Sequence, residues 1–112
     1  MPSGQLDRTF TALADPTRRG ILERIGRQDA SISDLAERYA MTLTGIRKHV
    51  RVLEDAGLVL TRKQGRTRTV TVGPHRLDDV ARWIDAYRIS VEARLDRLET
   101  LLARVQRGDT GS

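Results

Sequence analysis

Residues 42–59 read Thr42-Leu43-Thr44-Gly45-Ile46-Arg47-Lys48-His49-Val50-Arg51-Val52-Leu53-Glu54-Asp55-Ala56-Gly57-Leu58-Val59. Thr42 is an N-cap residue, and Ile46, Val50 and Leu53 recur at spacings of four and three, which predicts a helix with one apolar face. Gly57, directly after Asp55-Ala56, is placed to end that helix in a left-handed conformation. The positions off the apolar face are Thr44, Gly45, Arg47, Lys48 and Arg51. Glycine inside a helix costs roughly 1 kcal/mol relative to alanine, but it lets another surface approach the backbone closely.

Downstream, residues 58–61 and 67–72 flank Arg62-Lys63-Gln64-Gly65-Arg66. Alternating β-branched residues around a glycine turn predict a two-stranded hairpin, closed by Gly73-Pro74. Upstream, Ser33 is read as the cap of a short helix, with Asp34 and Glu37 in its first turns and Leu35, Ala36 and Tyr39 facing inward. Before it, Asp15-Pro16 pairs a capping residue with a proline at the first helical position. Ile21, Leu22 and Ile25 supply that helix's apolar face, and it should stop around Gly26-Arg27. Leu6, Phe10 and Leu13 predict a first helix over residues 5–14.

The last segment, residues 77–106, differs in kind. Leu77, Val80, Ile84, Tyr87, Val91, Leu95, Leu98, Leu102 and Val105 step by three or four throughout, close to a heptad seam with one four-four stutter. Such a helix would be about 45 Å long at 1.5 Å per residue, too long for the preceding 75 or so residues to cover. Its second half, residues 91–105, therefore needs another partner. Residues 107–112 read as a disordered tail.

The chain has 112 residues, no cysteine and a formal net charge of +5. That length predicts one domain over residues 1–106. Without cysteine, disulfides, thiolate nucleophiles and Cys-based zinc sites are excluded. No apolar run approaches a membrane span and no signal-peptide pattern opens the chain, so a soluble, cytoplasmic protein is expected. The charge is local. Arg47, Lys48, Arg51, Arg62, Lys63, Arg66 and Arg68 are opposed only by Glu54 and Asp55, so residues 41–72 hold the entire excess.

Two capped helices joined by a short turn, the second basic on its outer face, then a basic hairpin, make a winged helix-turn-helix. The fold class is mostly α with a small β-hairpin (α+β). The major groove of B-form DNA admits one helix, and a basic hairpin tip can reach phosphates or the minor groove. Double-stranded DNA is the expected partner. Thr42, Leu43, Thr44, Arg47 and Lys48 are the expected base readers, and His49, Arg51, Arg62, Lys63, Arg66 and Arg68 the backbone contacts. A solvated helix face, or a hairpin charged only to protect its edge, remains the blander reading. For His49, packing or a phosphate bond competes with base reading.

Two stretches carry a resemblance to a known family: Leu13-Ala14-Asp15-Pro16-Thr17-Arg18-Arg19-x-Ile21-Leu22 and Lys48-His49-Val50-x-x-Leu53-x-x-Ala56-Gly57-Leu58-Val59. Over residues 6–90 the chain resembles the ArsR family of bacterial repressors. The resemblance implies a homodimeric winged-helix repressor that binds an inverted repeat and often its own promoter. Two departures stand out: Thr42-Leu43 replaces a polar Ser-Gln-like pair, and Arg47 replaces a serine two positions before the histidine. Leu43 could meet a thymine methyl and Arg47 a guanine, so a different operator is expected.

Many members of the family sense metals. Here the third-helix cysteine pair is absent, residues 77–106 contain no histidine, and only His49 and His75 exist. His75 with Asp78 and Asp79 could form part of a hard-ion site, although two acids in a helix's first turn also serve its dipole. No metal and no cofactor are expected, and any small-molecule effector is unidentified. No G-x-S-x-G, phosphate-binding loop or H-E-x-x-H occurs, so no enzymatic activity is expected. Tyr39, Trp83 and Tyr87 are read as core or dimer-interface residues ahead of a ligand cage. Leu6, Phe10, Leu13, Ile84, Tyr87, Val91, Leu95, Leu98 and Leu102 are the expected dimer interface, since a palindromic operator needs a two-fold protein. The rival readings are an interaction module for an acidic protein partner and a repressor answering to an unidentified small-molecule or hard-metal inducer.

Overall fold

The computed structural model of the chain describes residues 3–75 and 77–108. Its elements run α1 (Ser3–Leu13), α2 (Pro16–Arg27), β1 (Ala30–Ser31), α3 (Ile32–Arg38), α4 (Leu43–Asp55), β2 (Val59–Gln64), β3 (Thr67–Val72) and α5 (Asp78–Gln106). The chain divides into two units, Met1–Val80 and Ala81–Ser112.

In the first unit, capping residues set the helix starts. The Asp15 carboxylate accepts from the N–H of Thr17 at 2.8 Å and of Arg18 at 3.1 Å. Thr42 Oγ1 accepts from the N–H of Gly45 at 3.0 Å. At the end of α4, Gly57 N–H donates to Glu54 O at 2.8 Å and Leu58 N–H to Leu53 O at 3.0 Å, a Schellman motif. Gly57 holds φ = +74° there, and a Cβ on it would collide with the ring of His75.

Ser33 does not cap α3. Ser31 does, its Oγ accepting from Asp34 N–H at 3.0 Å. The shift puts Ile32 inside the helix, where it is buried, while Ser33 stays exposed. Ser31 also belongs to a strand absent from the sequence reading. β1 pairs with β3 through Ala30↔Val70 and Ser31↔Thr69, giving an antiparallel sheet ordered β1-β3-β2. The hairpin is longer than expected, since β2 runs through Gln64 and leaves a two-residue turn at Gly65-Arg66. Gly65, at φ = +64°, supplies the positive φ such a turn needs at its first position.

Ile21, Leu35, Ile46, Leu53, Val59 and Val70 are fully buried, so α2, α3, α4 and the sheet meet in one core. Leu22, Tyr39 and Met41 pack against it.

α5 is one continuous 29-residue helix. Its apolar seam residues Ile84, Tyr87, Val91, Leu95, Leu98, Leu102 and Val105 are exposed. Trp83 and Tyr87 stack with ring centroids 5.4 Å apart. No helix among the described residues is long and apolar enough to cross a membrane. Of the tail expected to be disordered, Arg107 and Gly108 form a turn, and residues 109–112 lie outside the described residues.

Candidate nucleic-acid interface

α4 buries Ile46, Val50 and Leu53 and turns Leu43, Thr44, Arg47, Lys48 and Arg51 to solvent. The helical period decides this division, because residues three and four apart share a face. Leu43 is 44% exposed on the helix's first turn. Thr42 is exposed too, and with its oxygen accepting the cap hydrogen bond it still has its O–H proton and one lone pair to offer a ligand. Gly45 has a local role besides any approach of DNA, since an added Cβ would lie 3.1 Å from Met41 Cε.

The hairpin has two faces, and its register assigns the cations between them. Val59↔Val72, Thr61↔Val70 and Lys63↔Arg68 are paired positions on one face, with Val59 and Val70 in the core. Arg62, paired with Thr69, belongs to the opposite face. A groove of about 670 Å³ lies between α4 and the hairpin, lined by Arg47, Arg51, Lys63, Arg66 and Arg68 together with Glu54, Asp55 and Thr61. The structure thus brings five of the expected contact residues to one concavity and leaves Arg62 out of it. Lys48 and Thr44 stand on α4 outside the groove lining.

The groove is electrostatically unfinished. Among the described residues, the side chains of Arg47, Lys48, Arg51, Lys63 and Arg66 take part in no ion pair or hydrogen bond. Lys63 and Arg68 lie directly across from each other, a like-charge arrangement that weakens a sheet. An anion seated between them would reverse the sign of that interaction.

His49, half-buried, points elsewhere. Arg18 Nη1 donates to its Nδ1 at 3.2 Å, so the ring carries its proton on Nε2 and has that one N–H left to offer. Asp15, beside this pair, has its pKa lowered, chiefly because the Arg18 backbone N–H bonds its carboxylate. Partial desolvation opposes the shift.

His75, weighed as a hard-ion ligand with Asp78 and Asp79, packs its ring over Gly57, and its N–H donates to Gly57 O at 3.0 Å. Among the described residues no three His, Asp or Glu side chains are grouped to hold a metal ion. Two residues that the sequence reading passed over, Thr61 and Glu54, join across the groove at 2.8 Å. Glu54 was visible as an acid inside a basic run; its partner was not.

A family model described as a helix-turn-helix domain matches residues 13–62, the span from the end of α1 to the middle of β2. The chain is 35% identical over 91 residues to the uncharacterized HTH-type transcriptional regulator YuzN of Bacillus subtilis, covering 74% of this chain and 99% of that one. It is 27% identical over 79 residues to the transcriptional repressor SdpR of Bacillus subtilis, covering 70% of this chain and 88% of the relative. The crystal structure of an ArsR family transcriptional regulator superposes with a TM-score of 0.76 at 39% identity, covering 82% of this chain and 95% of that chain. Together with the groove between α4 and its wing, these matches define a winged helix-turn-helix regulator. The chain belongs to the ArsR family.

Proposed function

We propose that the chain is a sequence-specific DNA-binding transcriptional repressor, acting as a homodimer on an inverted-repeat operator that includes its own promoter. The observation that carries this reading is the groove between α4 and the hairpin, where five cations converge and two of them face each other across paired strands. A phosphate backbone is the ligand that such a net-positive concavity fits, and an α-helix flanking it fits a major groove. SdpR's name as a transcriptional repressor supports the direction of regulation.

In this reading Leu43, Thr44, Arg47 and Lys48 read base edges, with the Thr42 hydroxyl proton beside them. Arg51, Lys63 and Arg66 hold phosphates, joined by the Nε2–H of His49, while Arg62, on the far face of the wing, adds only long-range attraction. α1 contributes Leu6, Phe10 and Leu13 to the dimer, and α5 contributes Ile84, Tyr87, Val91, Leu95, Leu98 and Leu102. The seam of α5 supports self-association, because so long an exposed apolar stripe is unusual on a monomer. Two recognition helices would then enter successive major grooves about 34–36 Å apart. The protein would work in the cytoplasm of a bacterial cell.

A gel shift on the chain's own upstream region, with excess nonspecific DNA, tests the reading. Retardation that survives the competitor is the expected result. A shift that competitor abolishes equally would favour an acidic protein partner instead. With three to five phosphates neutralised per subunit, the log K against log salt slope should be roughly −5 to −9 for the dimer.

A further inference from the structure

We propose that Thr61 is a positioning residue for DNA binding, its hydroxyl clamping the wing to the recognition helix by bridging Glu54 and Arg68. The proposal rests on the DNA-binding reading above. Thr61 Oγ1 donates its proton to Glu54 Oε2 at 2.8 Å and accepts from Arg68 Nη1 at 3.2 Å. Both roles of a single hydroxyl are filled, one by the last turn of α4 and the other by β3.

The wing needs such a tether. β1 pairs only with Thr69 and Val70, so from Arg68 to the tip the hairpin is two-stranded and has no third strand behind it. A two-stranded hairpin is marginal on its own in water. The tip also carries the directly opposed Lys63 and Arg68, whose repulsion works against pairing. Glu54 is the acid best placed to offset this, and Thr61 is what holds it there. Arg68 is therefore a strut. One of its guanidinium nitrogens is spent inside the protein, whereas Lys63 and Arg66 remain unpaired among the described residues.

The functional consequence is pre-organisation. A wing already fixed against α4 presents Lys63 and Arg66 at a set distance from Arg47 and Arg51, so less ordering remains to be done on binding. An untethered wing carries the same charges and makes the same phosphate contacts, but it must be ordered first. Clamp loss and contact loss thus differ in how they respond to salt.

The test uses full-length T61V, T61S, R68Q and the T61V/R68Q double variant. Valine keeps the shape and strand preference of threonine without the hydroxyl. Hydrogen exchange of the amides of residues 62–68 in the free protein should speed up about tenfold in T61V and R68Q and stay at the wild-type rate in T61S. Operator affinity should fall about five- to tenfold in T61V and R68Q alike, with the log K against log salt slope unchanged. The double variant should be no weaker than T61V, because loss of the hydroxyl already removes both bonds of the bridge. A wild-type exchange rate in T61V, together with a slope in R68Q flattened by about 0.9 per subunit, would overturn the proposal and make Arg68 an ordinary phosphate contact. If the wild type binds no DNA, the functional reading fails by itself, and the exchange rates still decide whether the clamp exists.

Discussion

Arg18 and His49, thirty-one residues apart, meet at 3.2 Å between Nη1 and Nδ1, and the same guanidinium closes the end of α1. Its Nε donates to Ala12 O and its Nη2 to Thr11 O, both at 2.9 Å, while Arg19 Nη1 reaches Leu13 O at 2.7 Å. α1 has no basic residue in its own last turn, so α2 supplies the cations that its terminal carbonyls require. One side chain thereby links α1, α2 and the recognition helix.

Replacing Arg18 by alanine should lower stability by about 2–3 kcal/mol in urea unfolding, since three acceptors lose a charged donor. Arg18→Lys should recover only part of this, because a single ammonium cannot span acceptors arranged for a fork. A double-mutant cycle with His49→Ala should give a coupling of about 0.5–1 kcal/mol. Strict additivity would mean that the contact between the two side chains contributes nothing.

Asp15 sets a pH dependence whose sign is fixed. Its pKa is lowered in the folded state, chiefly by the Arg18 backbone N–H. The stabilisation it gives is therefore present above the unfolded aspartate value of about 3.9 and is lost as pH falls through the lower folded value. Asp15→Ala should melt below wild type at pH 7, and the gap should narrow steadily on acidification below about pH 4. Asp15→Asn, which keeps a capping oxygen without the charge, should show a smaller gap that narrows over the same pH range.

Gly57→Ala meets two obstacles, a φ of +74° and the ring of His75. Left-handed backbone costs a non-glycine residue about 1–2 kcal/mol, and the collision adds to it. The expected loss is about 2–3 kcal/mol in urea unfolding, with the His75→Ala background restoring about 1 kcal/mol of it. If that background restores nothing, backbone strain alone explains the glycine.

What could be read from the chain itself follows the range of the physics involved. Asp15-Pro16, Thr42 and Gly57 act on backbone groups within a few residues, so the caps and ends of α2 and α4 were legible. The Ile46-Val50-Leu53 spacing was legible for the same reason. β1 was not, because two residues carry no periodicity; Ala30 and Ser31 become a strand only because Val70 and Thr69 lie beside them. The choice of Ser31 over Ser33 as cap depends on burying Ile32, a tertiary demand. The Arg18–His49 and Glu54–Thr61 contacts join different elements and leave no trace in spacing. The face of Arg62 was within reach, since strand parity from Val59 puts Lys63 inward and Arg62 outward.

That parity yields a prediction about the wing. Lys63→Gln should flatten the log K against log salt slope by about 0.9 per subunit, as one phosphate contact goes. Arg62→Gln, on the opposite face, should change the slope by less than half as much. Salt titrations of both variants on one operator duplex decide between the faces; equal slopes would mean that both sides of the wing contact DNA.

The seam of α5 sets the final test. Leu98 is 47% exposed and lies between Leu95 and Leu102 in the exposed apolar seam of α5. In a two-fold dimer it is buried twice. Removing each copy should cost about 2 kcal/mol, so Leu98→Ala should raise the dimer dissociation constant by roughly a thousandfold in sedimentation equilibrium. The first unit keeps its own core, so urea unfolding of the Met1–Val80 fold should change little. Operator affinity should fall with the dimer and recover at protein concentrations above the new dissociation constant. An unchanged dimer would place the two-fold contact elsewhere and leave this stripe to a different protein.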